Sequence, residues 1–149
     1  MRLLVQSVSQ ARVVIQDLII DRCIGYGVLI YIWIHRDDTQ DYKTIIDKFI
    51  VKLSSLKWLK SKEGRLDASL HTDNVEIMVI SNFTLYAQNK KGSKMSFSDS
   101  ASAEVAKPIY NYFVQSLRDA WLSVQTGEFG AMMEVSATTI GPINYVLDL

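Results

Sequence analysis

The apolar run from residue 28 to residue 34 is the feature that most constrains the fold. It reads Val-Leu-Ile-Tyr-Ile-Trp-Ile, with no polar residue in alternation. Such a run is typical of a strand whose sheet is covered on both faces, so further layers must lie on either side. It is far shorter than the ~20 residues that a membrane-spanning helix needs, so we expect no membrane contact. The stretch Val75–Ile80 predicts a second buried strand.

The remaining periodicities place helices and strands around these two runs. Apolar side chains recur at helical spacing over about 40–56, after an N-cap cluster at 37–39. A second helix is predicted over 103–122, and Pro108 is tolerable near its first turns. Short β-branched segments at 2–8 and 11–15 predict two strands around a turn, and 124–147 predicts two or three more. Residues 86–100 predict a long loop.

This order predicts one mixed α/β domain over residues 1–149. We expect a mixed, mostly antiparallel, barrel-like sheet with two main helices packed on one face, in α/β/β layers.

Composition excludes several classes of function. Sixteen basic and sixteen acidic residues give zero net charge, which argues against nucleic-acid binding by global charge. One cysteine, Cys23, cannot form an intrachain disulfide, and with two histidines it makes a typical metal site improbable. Its apolar neighbours predict that Cys23 is buried. We expect a cytoplasmic, reduced, soluble protein without a cofactor.

The histidines do not indicate conventional acid–base catalysis. His35 and His71 lie in no nucleophile motif, and G-x-S-x-G is absent from the sequence, so both are interpreted as structural or surface residues. The cationic stretch at 90–94 has two open interpretations: a solvated loop, or a clamp for RNA phosphates with Phe97 available for a base. Gly141-Pro142 is either an ordinary turn or a cis-proline motif.

Taken together, these segments resemble the D-aminoacyl-tRNA deacylases of the D-tyrosyl-tRNA deacylase type, and the resemblance covers essentially the whole chain. Ser-Asn-Phe-Thr-Leu at 81–85 parallels the family's Ser-Gln-Phe-Thr-Leu and is the strongest match. Six further segments match in order and spacing: 5–13, 35–39, 63–66, 91–97, 125–131 and Gly141-Pro142.

The resemblance implies hydrolysis of the ester between a D-amino acid, or glycine mischarged on tRNA-Ala, and the 3′-terminal adenosine of tRNA. Backbone N–H groups at the end of a strand can stabilise the oxyanion of such a reaction. The residues implied at the catalytic floor are Ser81, Asn82, Phe83 and Thr84. A covalent role for Thr84 is a weaker alternative, since the sequence offers no base to activate it.

Further implied features concern chirality and tRNA binding. Gly141 and Pro142 of one subunit would enter the partner's pocket and exclude L-residues, which requires a homodimer. The residues implied at the tRNA acceptor end are Lys90, Lys91, Lys94, Phe97 and Met133. Met133 is equally interpretable as a core residue.

The sequence also departs from the family's pattern at several positions. Asn82 replaces glutamine, Ser7 replaces an arginine that supports the Gly-Pro motif, and Met95 replaces proline. Ile140 and Asn144 are unusual neighbours of Gly141-Pro142. Two alternatives therefore stay open: a relative that binds aminoacyl-tRNA or a nucleotide without cleaving it, and an editing deacylase with relaxed chirality. A purely structural interaction protein is a more distant third, since it leaves the polar strand end unexplained.

Overall fold

The computed structural model describes residues 1–61, 64–72, 74–89, 92–120 and 122–149. In this part of the chain the helices are α1 (Tyr42–Ser55) and α2 (Ala103–Asp119). The strands are β1 (Arg2–Ile15), β2 (Ile20–Ile24), β3 (Gly27–Trp33), β4 (Leu59–Lys60), β5 (Leu66–Ala68), β6 (Glu76–Ser81), β7 (Ser123–Thr126) and β8 (Glu134–Asp148). Short 3₁₀ helices occupy Gln16–Leu18 and Phe83–Tyr86.

Strand β1 is a central strand that pairs with other strands along both of its edges. It pairs antiparallel with β2 and β3 along one edge, in one register from Ile15↔Ile20 to Arg2↔Trp33. The prediction of two strands around a turn was therefore wrong. Residues 9 and 10, which suggested the turn, stay extended because β8 pairs with the opposite edge of β1.

The pairing of β1 with β8 is interrupted where the Gly-Pro motif lies. Gln6 pairs with Asn144, but Val8 pairs with Thr139, so residues 140–143 lie opposite Ser7 alone. This is a bulge of the β8 strand, and below we call residues 140–143 the Gly-Pro bulge. The 124–147 region thus contains two strands, β7 and β8, as predicted.

The two apolar runs form the parallel centre of the sheet. Strand β3 pairs in parallel with β6, and β6 pairs in parallel with β7. Within β3 every residue except Tyr31 is buried, which confirms the prediction of a strand covered on both faces. Gly27 is required here, because a Cβ would collide with the backbone of Glu76.

Helices α1 and α2 cover one face, where Ile46, Leu53 and Phe113 pack against β3 and β6. On the other face a second apolar cluster joins the far half of β1 to Leu29, Met78 and Ile80. Among the described residues, four of the six strand pairings are antiparallel. The predicted mixed α/β fold with a barrel-like, mostly antiparallel sheet and two helices is therefore confirmed.

The sheet curls far enough to bring β2 next to β7. The guanidinium of Arg22 on β2 donates to the backbone oxygen of Thr126 at 2.7 Å and to that of Gly127 at 3.5 Å. It also contacts Thr126 Oγ1 at 3.2 Å. Arg22 thereby ties the end of β7 to the opposite side of the curled sheet.

Two local predictions were wrong. Helix α1 begins after Asp41, which has φ 53° and makes no side-chain cap, whereas Asp38 of the predicted cap cluster accepts the His35 N–H at 2.7 Å. Cys23 is exposed rather than buried. It lies opposite Arg12 on β1, on the solvent side of an alternating strand.

Helix α2 ends at Asp119, three residues before the predicted end. Among the helices of the described residues, none combines the length and the apolar character that crossing a bilayer requires.

Candidate active site at the ends of the parallel strands

Strands β3, β6 and β7 run in the same direction, so their carboxyl ends meet at one edge of the sheet. Clefts at such edges are common ligand sites in α/β proteins. Ser81 is the last residue of β6 and is buried. The backbone N–H of Asn82 then donates to the carbonyl of Ile32 at 3.0 Å and extends the sheet by one bond.

Asn82 also caps the 3₁₀ helix that follows β6. Its side-chain Oδ1 accepts the Thr84 N–H at 3.2 Å and the Thr84 hydroxyl at 2.6 Å. This explains why the apolar strand is followed by an amide and a hydroxyl: the two side chains turn the chain away from the sheet. The Thr84 hydroxyl is thus held by an amide oxygen, which is not a base.

These contacts leave the amide of Phe83 as the available donor. Asn82 N–H is used by the sheet, Thr84 N–H by the Asn82 side chain, and Leu85 N–H donates to Asn82 O at 3.3 Å. For the Phe83 N–H, the described residues supply no acceptor within hydrogen-bonding distance. Phe83 O accepts the Ser100 hydroxyl at 3.0 Å, which holds the next peptide, between Phe83 and Thr84, in place.

Aromatic rings cluster around the Phe83 side chain. The Phe83 ring is 47% exposed and lies 4.9 Å from the Phe97 ring and 6.2 Å from the Trp33 indole, centroid to centroid. Trp33 in turn stacks on Phe129 at 5.4 Å, and Phe129 contacts Tyr110 at 5.4 Å. Strand β3, the 3₁₀ helix after β6, helix α2 and two loops thus contribute rings to one edge.

Tyr110 anchors helix α2 to the same edge. Its hydroxyl donates to the carbonyl of Val79, two residues before the end of β6, at 3.1 Å. Burial raises the pKa of Tyr110 to about 12, so the phenol stays neutral and keeps this hydrogen bond.

The predicted tRNA-binding residues are only partly brought together. Phe97 touches Phe83, as described above, and Lys94 is exposed on the preceding loop, whereas Lys90 and Lys91 lie outside the described residues. Met133 packs with the second apolar cluster, and a Cβ on Gly127 would collide with its Sδ atom. Met133 therefore lies beside the end of β7.

The Gly-Pro bulge is exposed at the surface. The Gly141–Pro142 peptide is cis, and Gly141 has φ +113°, a conformation that favours glycine. The three atoms nearest to a Cβ built on Gly141 all belong to Ile143, the closest at 2.5 Å. Gly141 and Pro142 are both exposed, so in this chain the motif lies at the surface.

Ser7 lies opposite this bulge and does not hold it. Its side chain is buried, and its hydroxyl has no hydrogen-bond partner among the described residues. Asn144 at the end of the bulge accepts from the side chain of Gln6 at 3.0 Å instead.

Neither histidine is placed as a catalytic base: His35 is already hydrogen-bonded, and His71 lies far from the carboxyl ends of the parallel strands. His35 accepts the Asp37 N–H at Nδ1, at 3.2 Å, and its ring lies 5.2 Å from that of Tyr86. His71 lines a cleft near Glu76, at the opposite end of the parallel strands.

The sequence analysis missed Trp33, Tyr110 and Phe129. None of the three was proposed as a site residue, and only the convergence of three strand ends makes them neighbours. The available signals were the placement of Trp33 at the end of an apolar run and of Phe129 within the matched segment 125–131.

The comparisons with known proteins agree on the class. The relatives include proteins named D-aminoacyl-tRNA deacylase from Finegoldia magna and from Roseiflexus sp., each 38% identical over 148 residues, with 99% of this chain covered and 97% and 93% of the relatives. The class is thus that of the aminoacyl-tRNA deacylases. More particularly, the model of the D-Tyr-tRNA(Tyr) deacylase family matches residues 4–148, and the chain belongs to that family.

Solved structures agree on the fold. A structure titled c-Myc DNA Unwinding Element Binding Protein superposes with a TM-score of 0.84 at 29% identity, covering 100% of this chain and 99% of its own. A probable eukaryotic D-amino acid tRNA deacylase superposes with a TM-score of 0.86 at 16% identity, covering 99% of this chain and 98% of its own. The second likeness supports the fold alone.

Proposed function

We propose that this protein hydrolyses the ester of D-aminoacyl-tRNA and releases the D-amino acid and tRNA. The observation that carries the proposal is the Phe83 amide, the donor left available at the end of β6 beside exposed aromatic rings. It agrees with family membership and with the names of relatives. The substrate ester would lie with its carbonyl oxygen at this amide.

The proposed chemistry needs little from side chains, since an aminoacyl ester is already activated. Water attacks the carbonyl carbon, the Phe83 N–H stabilises the oxyanion, and the bond to the ribose 3′ oxygen breaks with transfer of a proton to that oxygen. One such donor contributes about 100- to 1000-fold in rate. The neighbouring ribose 2′-OH would assist the water. Thr84 is a poor nucleophile here, because its hydroxyl donates to an amide oxygen.

The chirality filter is proposed to come from a second copy of the chain. The exposed cis Gly141–Pro142 peptide points away from its own chain, as expected of a motif that serves a partner's pocket. Within the described residues β8 pairs with β1 alone, so fifteen residues of strand edge stay open beside this motif. Such a long open edge favours pairing with another chain. A homodimer would cover it.

L-aminoacyl-tRNA would be rejected by a steric clash. With the amino group and carbonyl fixed, an L-side chain would be directed into the Gly-Pro backbone, whereas a D-side chain would point outward. Glycine has no side chain to exclude. We therefore expect glycyl-tRNA, including glycine mischarged on tRNA-Ala, to be hydrolysed as well.

A paired assay with D-Tyr-tRNA and L-Tyr-tRNA tests this function. We expect turnover of the D-ester and strong discrimination against the L-ester. Binding of D-Tyr-tRNA without turnover would replace the proposal with the non-catalytic alternative.

Pro142→Ala tests the proposed wall. We expect it to lower the D/L ratio more than the D-ester rate or the melting temperature. An unchanged D/L ratio would contradict the role of Pro142.

One observation favours the second candidate, an editing deacylase with relaxed chirality. The buried Ser7 hydroxyl makes no hydrogen bond to the Gly-Pro bulge. The bulge is therefore held less firmly from this side than it would be by the arginine that the family has at this position. Comparable rates on both enantiomers in the same assay would establish that candidate.

A further inference from the structure

A polar cleft lies directly beside the candidate active site. It has a volume of about 320 Å³ and runs between helix α2 and the segment that follows β7. Phe129, which stacks on Trp33 in the site, also forms one wall of this cleft, and Tyr110 lines it too. The cleft and the site therefore share an aromatic wall.

One face of α2 supplies most of the polar lining. Lys107, Asn111, Gln115 and Arg118 recur at intervals of three or four residues, so they project from the same side of the helix. All four are exposed. The spacing from Lys107 to Arg118 corresponds to about 16 Å along the axis, at a rise of about 1.5 Å per residue.

The charge of the cleft is positive overall. Lys107 and Arg118 line it with one carboxylate, Glu128. The ion pairs found among the described residues involve neither of these two cations. Arg22 adds a third positive charge nearby, where it donates to the Thr126 and Gly127 carbonyls. Cations that lack acidic partners, next to aromatic rings, are the typical surface for single-stranded nucleic acid.

We propose that this cleft binds the single-stranded RNA that precedes the terminal adenosine, with Lys107 and Arg118 at its phosphates. The inference rests on the proposed function, since the adenosine itself would occupy the site. Gly127 connects the two places: it lines the cleft and lies against Met133, a residue predicted at the adenosine. The strand leaving the adenosine would pass along α2, with a base available to stack on Phe129.

If Lys107 and Arg118 contact phosphates, replacing them should weaken the binding of RNA and make that binding less sensitive to salt. For single strands the logarithm of affinity falls with the logarithm of salt with a slope of about 0.7 per phosphate contact. The double variant Lys107→Gln/Arg118→Gln should therefore lower the slope for binding a labelled CCA trinucleotide by about 1.4. Each single variant should weaken binding by up to about fivefold at low salt. Glu128→Gln should strengthen it.

Two controls distinguish RNA binding in the cleft from effects on the candidate active site. Lys48→Gln removes an exposed charge from α1 and should leave the affinity for CCA and its salt slope unchanged. Hydrolysis of the short ester D-tyrosyl-adenosine, which lacks the preceding phosphates, should keep its wild-type kcat/KM in the double variant. An equal loss with the short ester would mean that these residues act on the site and would overturn the inference.

An unchanged salt slope for CCA binding would also overturn it. This binding measurement does not depend on turnover. Failure of the proposed function would instead show as wild-type protein that hydrolyses neither D-Tyr-tRNA nor D-tyrosyl-adenosine.

Discussion

Replacing Asn82 by aspartate tests whether negative charge develops beside the Phe83 amide. Asn82 Oδ1 accepts the Thr84 N–H at 3.2 Å and the Thr84 hydroxyl at 2.6 Å. A carboxylate oxygen accepts both bonds equally well, so the turn should keep its shape. The substitution therefore changes the charge next to the proposed oxyanion and little else.

The expected effect on rate is large. Two negative charges roughly 5 Å apart repel by about 3 kcal/mol at an effective dielectric constant of about 20. This repulsion is present only when the oxyanion forms, so kcat should fall by about 100-fold. Asn82→Ala should behave differently: it removes a cap worth about 1 kcal/mol. Its melting temperature should fall by about 3 °C.

Single-turnover hydrolysis of D-Tyr-tRNA and thermal unfolding together provide the assay. Asn74→Asp is the matched control, because it makes the same change near the amino ends of the parallel strands, where Asn74 lines the cleft near Glu76. The Asn82→Asp variant should melt like wild type and react slowly. A wild-type kcat would refute the placement of the oxyanion at Phe83.

Three further predictions concern stability. Arg22→Met removes donors to the Thr126 and Gly127 carbonyls and should lower the free energy of unfolding by about 1 to 2 kcal/mol in urea titration; an unchanged midpoint would contradict it. Ser7→Ala removes a buried hydroxyl for which the described residues offer no partner, so the free energy of unfolding should stay within about 0.5 kcal/mol or rise. The hydrogen bond from Arg2 lowers the pKa of Asp148, so this pair stabilises the fold above the ordinary carboxyl pKa and is lost as pH falls through the lowered value. Asp148→Asn should thus lower the urea midpoint at neutral pH, and a difference that did not shrink as the pH falls through the lowered carboxyl pKa would contradict this cause.

The parts of the fold that the sequence predicted are those that local pattern determines. An apolar run without alternation has one stable environment, a strand between two layers, and β3 has it. The helical stripes of α1 and α2 are likewise periodic over many turns. The strand end at Ser81 was visible because polar residues follow a buried strand abruptly.

The parts that the sequence did not predict depend on distant partners. The paired residues of β8 keep β1 extended through residues that would otherwise favour a turn. The outward position of Cys23 follows from the register of β1 with β2. The rings of Trp33, Phe129 and Tyr110 become neighbours only because strands β3, β6 and β7 end together, and no short segment of sequence encodes that meeting.

The central position of β1 has a consequence for synthesis on the ribosome. One edge of β1 pairs with β2 and β3, which follow it directly in the chain, but the other edge pairs with residues 134–148. Until that late segment emerges, the nascent chain carries a long strand with an open edge, which is prone to wrong pairing. We therefore expect the nascent protein to depend on chaperone protection until translation of β8 closes the sheet.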